Sequence, residues 1–169
     1  NGAKDLELHL IRAVGDPVKR FNEDALRMMR AVRIAAQIGM MIEEHTIDAI
    51  IKHASLILRI SSERVRDELL KLVSAPHAAD GVLILKNSTL LHFILTELEV
   101  AFESGQKSPK RHHILDVGTH SVMALKNCPS NDTITRLATL LHDIGKPQTR
   151  RVDEEGIVTF FNHEVVGAG

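Results

Sequence analysis

The chain is 169 residues long, 44% hydrophobic and 25% charged, with a formal net charge of −1 at pH 7. This length and composition suit one domain or two small ones with a real core, and they exclude a disordered chain. No apolar run reaches membrane-span length, no signal peptide is visible, the near-zero charge gives no global reason to expect nucleic acid, and the single cysteine, Cys128, excludes an internal disulfide and suits a reducing cytoplasm.

In chain order, residues 5–15 read as extended, because Leu6, Leu8 and Leu10 alternate with polar residues. Gly15-Asp16-Pro17 is a turn. A long helix is expected from Asn22 to Ile38, with Asn22 as N-cap, Glu23 and Asp24 in its first turn, and Gly39 as its stop. Ile34 and Ile38 interrupt its polar face, so its second half is expected to be buried all round. Thr46 caps a short helix to His53, and Ser61-Ser62-Glu63 opens another to Val73. Pro76 starts the next, and Leu90–Leu95, with Phe93, reads as a short core segment.

Residues 103–112 are polar and read as a linker or exposed loop, with His112-His113 solvated in a basic run. A helix from Ile114 to Lys126 follows, then a loop at 127–131, then a helix capped by Asp132 or Thr133 that ends near His142. Residues 149–160 read as a small hairpin. The fold class is therefore all-α, with a first helical region at 1–102, a linker or loop at 103–112 and a second helical region at 113–169. There is no initiator Met, and both ends read as the inside of a longer protein.

Two constellations carry chemistry. The first is Leu140-Leu141-His142-Asp143-Ile144-Gly145-Lys146-Pro147, with His120 upstream and His163-Glu164 downstream. An isolated His-Asp pair is common. Imidazole nitrogen and carboxylate oxygen held on packed helices, however, suit a divalent ion. If two helices pack antiparallel, His120 can face His142. Consecutive helical residues point about 100° apart, so His142 and Asp143 reach one ion only near a helix end, which Gly145 is expected to supply. Lys146 is then placed to meet a phosphate. The candidate ligands are His120, His142, Asp143 and His163, for Mn, Fe, Ni or Zn rather than Mg.

The second is Gly15-Asp16-Pro17-Val18-Lys19-Arg20-Phe21-Asn22-Glu23-Asp24-Ala25-Leu26-Arg27-Met28-Met29-Arg30. On one continuous helix Arg20, Glu23, Asp24, Arg27 and Arg30 share a face within about 120°. An Asp and an Arg at i, i+3 usually form a salt bridge. They can also read the edge of a base, the carboxylate accepting from an exocyclic amine and the guanidinium donating to ring acceptors.

The His120, His142-Asp143 pattern resembles the HD-domain metal-dependent phosphohydrolases, in which a later Asp completes the set. That Asp would lie beyond Gly169. The second string closely resembles the class II tRNA nucleotidyltransferase and poly(A) polymerase family, the CCA-adding enzymes. Ile60-Ser61-Ser62-Glu63-Arg64-Val65-Arg66-Asp67-Glu68-Leu69 is similar to that family's next neck element.

The resemblance implies that Glu23, Asp24 and Arg27 form a template for incoming CTP or ATP, with Arg20 and Arg30 near phosphate. It implies tRNA or another RNA 3' end as partner and a cytoplasmic location, and leaves the oligomeric state open. The carboxylates that hold Mg for transfer belong to a head domain with no counterpart here, so transfer by this chain alone is not expected. That head also separates CCA, CC-only, A-only and poly(A) addition. The competing expectations are a stand-alone HD phosphohydrolase and a non-catalytic tRNA-binding scaffold.

Overall fold

A computed structural model of the chain describes residues 2–106 and 115–169. His112-His113 and the expected helix start at Ile114 lie outside the described residues. Among these residues the fold is all-α with two two-stranded sheets. None of its helices is long and apolar enough to cross a membrane. The chain divides into two compact units, Asn1–Ile94 and Leu95–Gly169.

The first unit is built on α1 (Gly2–Glu7), β1 (Leu10–Ile11), α2 (Pro17–Glu23), α3 (Leu26–Ile38), β2 (Met41–Ile42), α4 (Glu44–His53), a 3-10 helix (Ala54–Arg59), α5 (Ser62–Val73), α6 (Ala78–Asn87) and α7 (Leu90–Ile94). Helix α3 is its centre, packed on α5 and α6. Met28, Met29 and Val32 are fully buried, against a core that includes Leu72, Val73, Val82 and Leu85. Gly81 sets the α3–α6 crossing, since a Cβ there would stand 2.8 Å from Ala36 Cβ.

Several sequence expectations are corrected here. Residues 5–15 are not one extended run: α1 is helical, and only Leu10 and Ile11 form strand, parallel to Met41 and Ile42. The alternation misled because Leu6 and Leu8 are exposed and define no buried face. The helix expected over 22–38 is two helices. Asp16 caps α2 by accepting from Val18 N–H at 2.9 Å, and Pro17 takes its first position. Asp24 then turns extended (φ −152°, ψ 103°) and ends α2. Its Oδ1 accepts from Leu26 N–H at 3.1 Å, as an N-cap side chain would for α3. Asn22 is no cap; it sits in the last turn of α2 and donates to Val18 O.

The second half of α3 is not buried all round, since Ile34 and Ile38 stay exposed. The expected stop holds, with Gly39 at φ 69° and its N–H on Ala35 O at 2.8 Å. Thr46 does not cap α4 either. Glu43 does, accepting from Thr46 N–H and hydroxyl, both at 2.8 Å, while Thr46 Oγ1 accepts from Ala13 N–H. Helix α5 spans its expected residues, but its most buried polar residue is Glu68, 5% exposed. Helix α6 starts at Ala78 rather than Pro76, and Phe93 is only half-buried.

The second unit contains α8 (Thr96–Ala101), α9 (Val117–Lys126), α10 (Thr133–Leu141), α11 (Lys146–Thr149), β3 (Arg151–Val152), β4 (Val158–Thr159) and α12 (His163–Ala168). Asp116 caps α9 and Asp132 caps α10, each accepting from a Thr N–H and hydroxyl three residues on. A short loop returns α10 onto α9. The hairpin forms as expected, antiparallel, with Arg151 opposite Thr159. The start of the expected exposed loop is in fact packed. Ser104 and Gln106 are buried, and Gly105 bridges to Asp116. Helix α8 packs on α9, so it belongs to the second unit.

Candidate functional sites

In the second unit, α9 carries His120, and α10 ends at Leu141 with His142 still helical (φ −55°, ψ −28°). Two tight turns follow, Ile144 N–H to Leu141 O and Lys146 N–H to Asp143 O, and they let neighbouring side chains converge. His120 Nε2 lies 3.6 Å and His142 Nε2 3.2 Å from Asp143 Oδ2. The two rings stand 5.3 Å apart, centroid to centroid. His163 Nε2 lies 3.5 Å from the other oxygen, Oδ1. Asp143 is 3% exposed, whereas the side chains of His120 and His142 are about two-fifths open to water.

The tautomers are settled by carbonyls, which only accept. His142 Nδ1 donates to Thr139 O and His163 Nδ1 to Phe160 O, both at 2.8 Å, so in the neutral imidazole each Nε2 carries the lone pair. One donor atom each from His120, His142 and Asp143 lies within 4.8 Å of the others. Ligand bonds of about 2.0–2.2 Å at tetrahedral angles put donors about 3.3–3.6 Å apart, close to the 3.6 and 3.2 Å between the two Nε2 atoms and Asp143 Oδ2, so a closer approach of the two imidazoles to each other fits one ion. The donor set of two imidazoles and a carboxylate, with outer partners on His142, suits a divalent cation.

Gly145 does not end the helix, which stops earlier. Its φ is −80°, ordinary for any residue, and it precedes α11. A Cβ at Gly145 would collide with His163 O and stand 2.7 Å from Gly167 N, so the glycine admits α12 and with it His163. Lys146 does not face open water. Its Nζ donates to Asp143 Oδ2 at 2.7 Å and to Gln106 Oε1 at 3.1 Å.

In the first unit the break at Asp24 splits the expected face between two helices. Arg20 and Glu23 belong to α2, Arg27 and Arg30 to α3. Glu23 Oε2 accepts from Arg27 Nη1 at 2.6 Å and Arg20 Nη1 at 3.1 Å. The Arg27 and then the Arg20 hydrogen bond hold its carboxyl below the usual glutamate range. Asp24 Oδ2 accepts from Arg64 Nη2 of α5 at 3.0 Å. Burial pushes that carboxyl up, but the Leu26 N–H and Arg64 outweigh it, and the carboxyl titrates below the usual aspartate range.

A cavity of ≈ 390 Å³ opens beside this break. Arg20, Arg27 and Arg30 line it together with Val14, Phe21 and Ile34; Glu23 and Asp24 stand outside its wall. Arg30 Nε also reaches Glu68 Oε1 at 3.6 Å, and Arg33 Nε donates to Glu68 Oε2 at 2.7 Å.

Three participants were missed from the sequence: Arg64, Glu68 and Gln106. Arg64 and Glu68 stand four apart in the quoted neck string, so helical spacing could have put them on one face. No pattern signals Gln106.

A family model described as the probable RNA and SrmB-binding site of polymerase A matches residues 39–102, and a model of the HD domain matches residues 111–169. A CC-adding tRNA nucleotidyltransferase of Thermus thermophilus is 35% identical over 99% of this chain and 41% of its own length. An A-adding tRNA nucleotidyltransferase of Deinococcus radiodurans is 36% identical over 99% of this chain and 40% of its own length. Among solved structures, the Bacillus stearothermophilus CCA-adding enzyme in complex with CTP matches at 42% identity and a TM-score of 0.52, covering 53% of this chain and 22% of that one. The chain thus spans about two-fifths of the length of the relatives it matches end to end. With both models in chain order and alignment over 99% of the chain, the chain is similar along nearly its whole length to tRNA nucleotidyltransferases, over a part that carries the polymerase A RNA-binding region and an HD domain.

Proposed function

We propose that the first unit is the base-selecting and RNA-binding part of an enzyme that adds nucleotides to tRNA 3' ends. Asp24 and Arg27 are its reading pair, and Glu23 orients Arg27. The observation that carries this is the break at Asp24. It sets an ionised carboxylate, braced by Leu26 N–H and Arg64, at the head of the helix whose Arg27 borders the cavity. A carboxylate accepts from the exocyclic amine of cytosine or adenine, and a guanidinium donates to their ring acceptors. Arg20 and Arg30, on the same cavity wall, would meet phosphate. CTP, ATP and the tRNA end are then the partners, in the cytoplasm. Titration of the full chain with CTP and ATP tests the reading. Arg27→Ala and Asp24→Ala should each weaken binding about tenfold or more, a loss of about 1.4 kcal/mol. Unchanged affinities would discard the template.

The second unit is read as a phosphohydrolase-type metal centre. His120, His142 and Asp143 would hold a divalent ion, and His163 faces the second oxygen of Asp143. Such an ion polarises a phosphoester and acidifies bound water. Of the chain's own groups, Thr139 O and Phe160 O keep two imidazoles in the ligating tautomer, and the buried Asp143 supplies the negative charge. Equilibrium dialysis against Mn2+ and Ni2+ tests this. Loss of binding in His142→Ala is expected, and equal binding by that variant would remove the assignment.

A further inference from the structure

Lys146 is held on three sides. Asp143 Oδ2 takes its ammonium at 2.7 Å and Gln106 Oε1 at 3.1 Å, and the Phe160 ring centroid lies 5.4 Å away. The lysine side chain is 14% exposed and Gln106 is 3% exposed. Gln106 comes from far along the chain. Its turn is fixed by the Gly105–Asp116 bridge and by Val117 N–H on Ser104 O at 3.1 Å. The oxygen that Lys146 holds is also the one on which His120 and His142 converge.

A divalent ion bound to Asp143 Oδ2 at about 2.0–2.2 Å would lie no more than about 5 Å from the lysine nitrogen, because the two would share that oxygen. Lys146 and Asp143 are both largely shielded from water, so the ammonium acts on a cation at Asp143 Oδ2 with reduced screening. The position of the ammonium therefore governs how well the cluster takes a cation. Gln106 draws the ammonium with a neutral carbonyl oxygen, against the full charge of Asp143.

We propose that Gln106 is a positioning residue: by sharing the Lys146 ammonium with Asp143, it sets the divalent-cation affinity of the His120, His142 and Asp143 cluster. The proposal rests on reading that cluster as a metal centre. Removing the amide lets Lys146 neutralise Asp143 fully and weakens cation binding. A carboxylate at position 106 pulls the ammonium away and strengthens binding.

Mn2+ titration by calorimetry on the full chain distinguishes the cases, with thermal melting of each metal-free variant alongside. Gln106→Leu should bind Mn2+ at least threefold more weakly than the wild type. Gln106→Glu and Lys146→Met should bind at least tenfold more tightly. A merely structural role for Gln106 would weaken binding in both position-106 variants, in step with their lost melting temperature, and that outcome overturns the proposal. Lys146→Met leaves Gln106 untouched, so it decides alone if either Gln106 variant fails to fold; no gain in affinity there also overturns it. Binding by the wild type without these differences removes the role of Gln106 and leaves the metal centre standing. No Mn2+ binding by the wild type, Gln106→Glu or Lys146→Met removes both.

Discussion

Around Asp24 the charges pair on a half-exposed surface, Asp24 with Arg64 and Glu23 with Arg20 and Arg27, whereas around Asp143 a single buried carboxylate receives three imidazoles and an ammonium. Pairs of the first kind contribute little to stability, because water screens them. They aim side chains without holding the fold, so they can be exchanged for a ligand at little cost. A buried carboxylate that loses its partners is far more costly. The region around Asp24, read as a template, should therefore lose ligand recognition before it loses stability, and the cluster around Asp143 should lose cation binding and stability together.

The largest expected effect strikes at that contrast through Gly145. Adding a methyl there drives it into the backbone of α12 at His163 and Gly167, where no flexible side chain can give way. Gly145→Ala should destabilise the second unit by about 3 kcal/mol and release His163 from Asp143. Urea unfolding followed by probes in each unit measures this; a wild-type midpoint for the second unit would show that α12 is not what secures the cluster. The first unit has one place built like the second. Glu68 is nearly buried among Arg30, Arg33 and Lys71. Glu68→Ala should cost about 2–3 kcal/mol, far more than removing Glu23. Equal losses for the two would erase the distinction drawn between buried and exposed charge.

The same contrast explains what could be read from the sequence. His120, His142 and Asp143 were legible because a helix hairpin with one residue pair at its end brings them together almost independently of detail. Asp132, Gly39 and the hairpin at 151–159 were legible because their signals are local. The break at Asp24 was not, since Asp24 and Arg27 three apart suit an unbroken helix equally well. Pro17 behind Asp16 carried the competing signal of an earlier start. Glu43 displaced Thr46 as a cap because Thr46 Oγ1 also accepts from Ala13, a contact made across the fold. Gln106 lies in a polar stretch, and only the turn that buries it gives it a role.

Acid should separate capping from pairing. Thr135 N–H and then its hydroxyl hold Asp132 below the usual aspartate range. A carboxyl lowered on folding stabilises fully above its unfolded value, about 3.9, and that contribution is lost as pH falls through the lower folded value. Wild type and Asp132→Ala should therefore differ in melting temperature at neutral pH and converge in strong acid. A gap that persists well below pH 3 would mean that the cap acts through packing rather than charge.

The smallest effect on stability, and the sharpest on the comparison, belongs to Arg64. Its side chain is 48% exposed where it meets Asp24, so Arg64→Ala should cost about 1 kcal/mol or less. Yet Arg64 is one of the two groups that hydrogen-bond Asp24 and hold it low, beside the charge of Arg30, and the other, Leu26 N–H, binds the other oxygen. Without Arg64 the carboxyl should titrate closer to the usual aspartate range, and the freed oxygen should lose its fixed direction. Carbon-13 NMR titration of the Asp24 carboxyl reads the first change. The ratio of CTP to UTP affinity reads the second, since only cytosine offers an exocyclic amine to that oxygen. A variant that melts like the wild type but no longer prefers CTP would show that Arg64 acts on recognition through Asp24. An unchanged ratio with an upward-shifted carboxyl would show that Leu26 alone aims it, and that the ion pair to α5 contributes charge without direction.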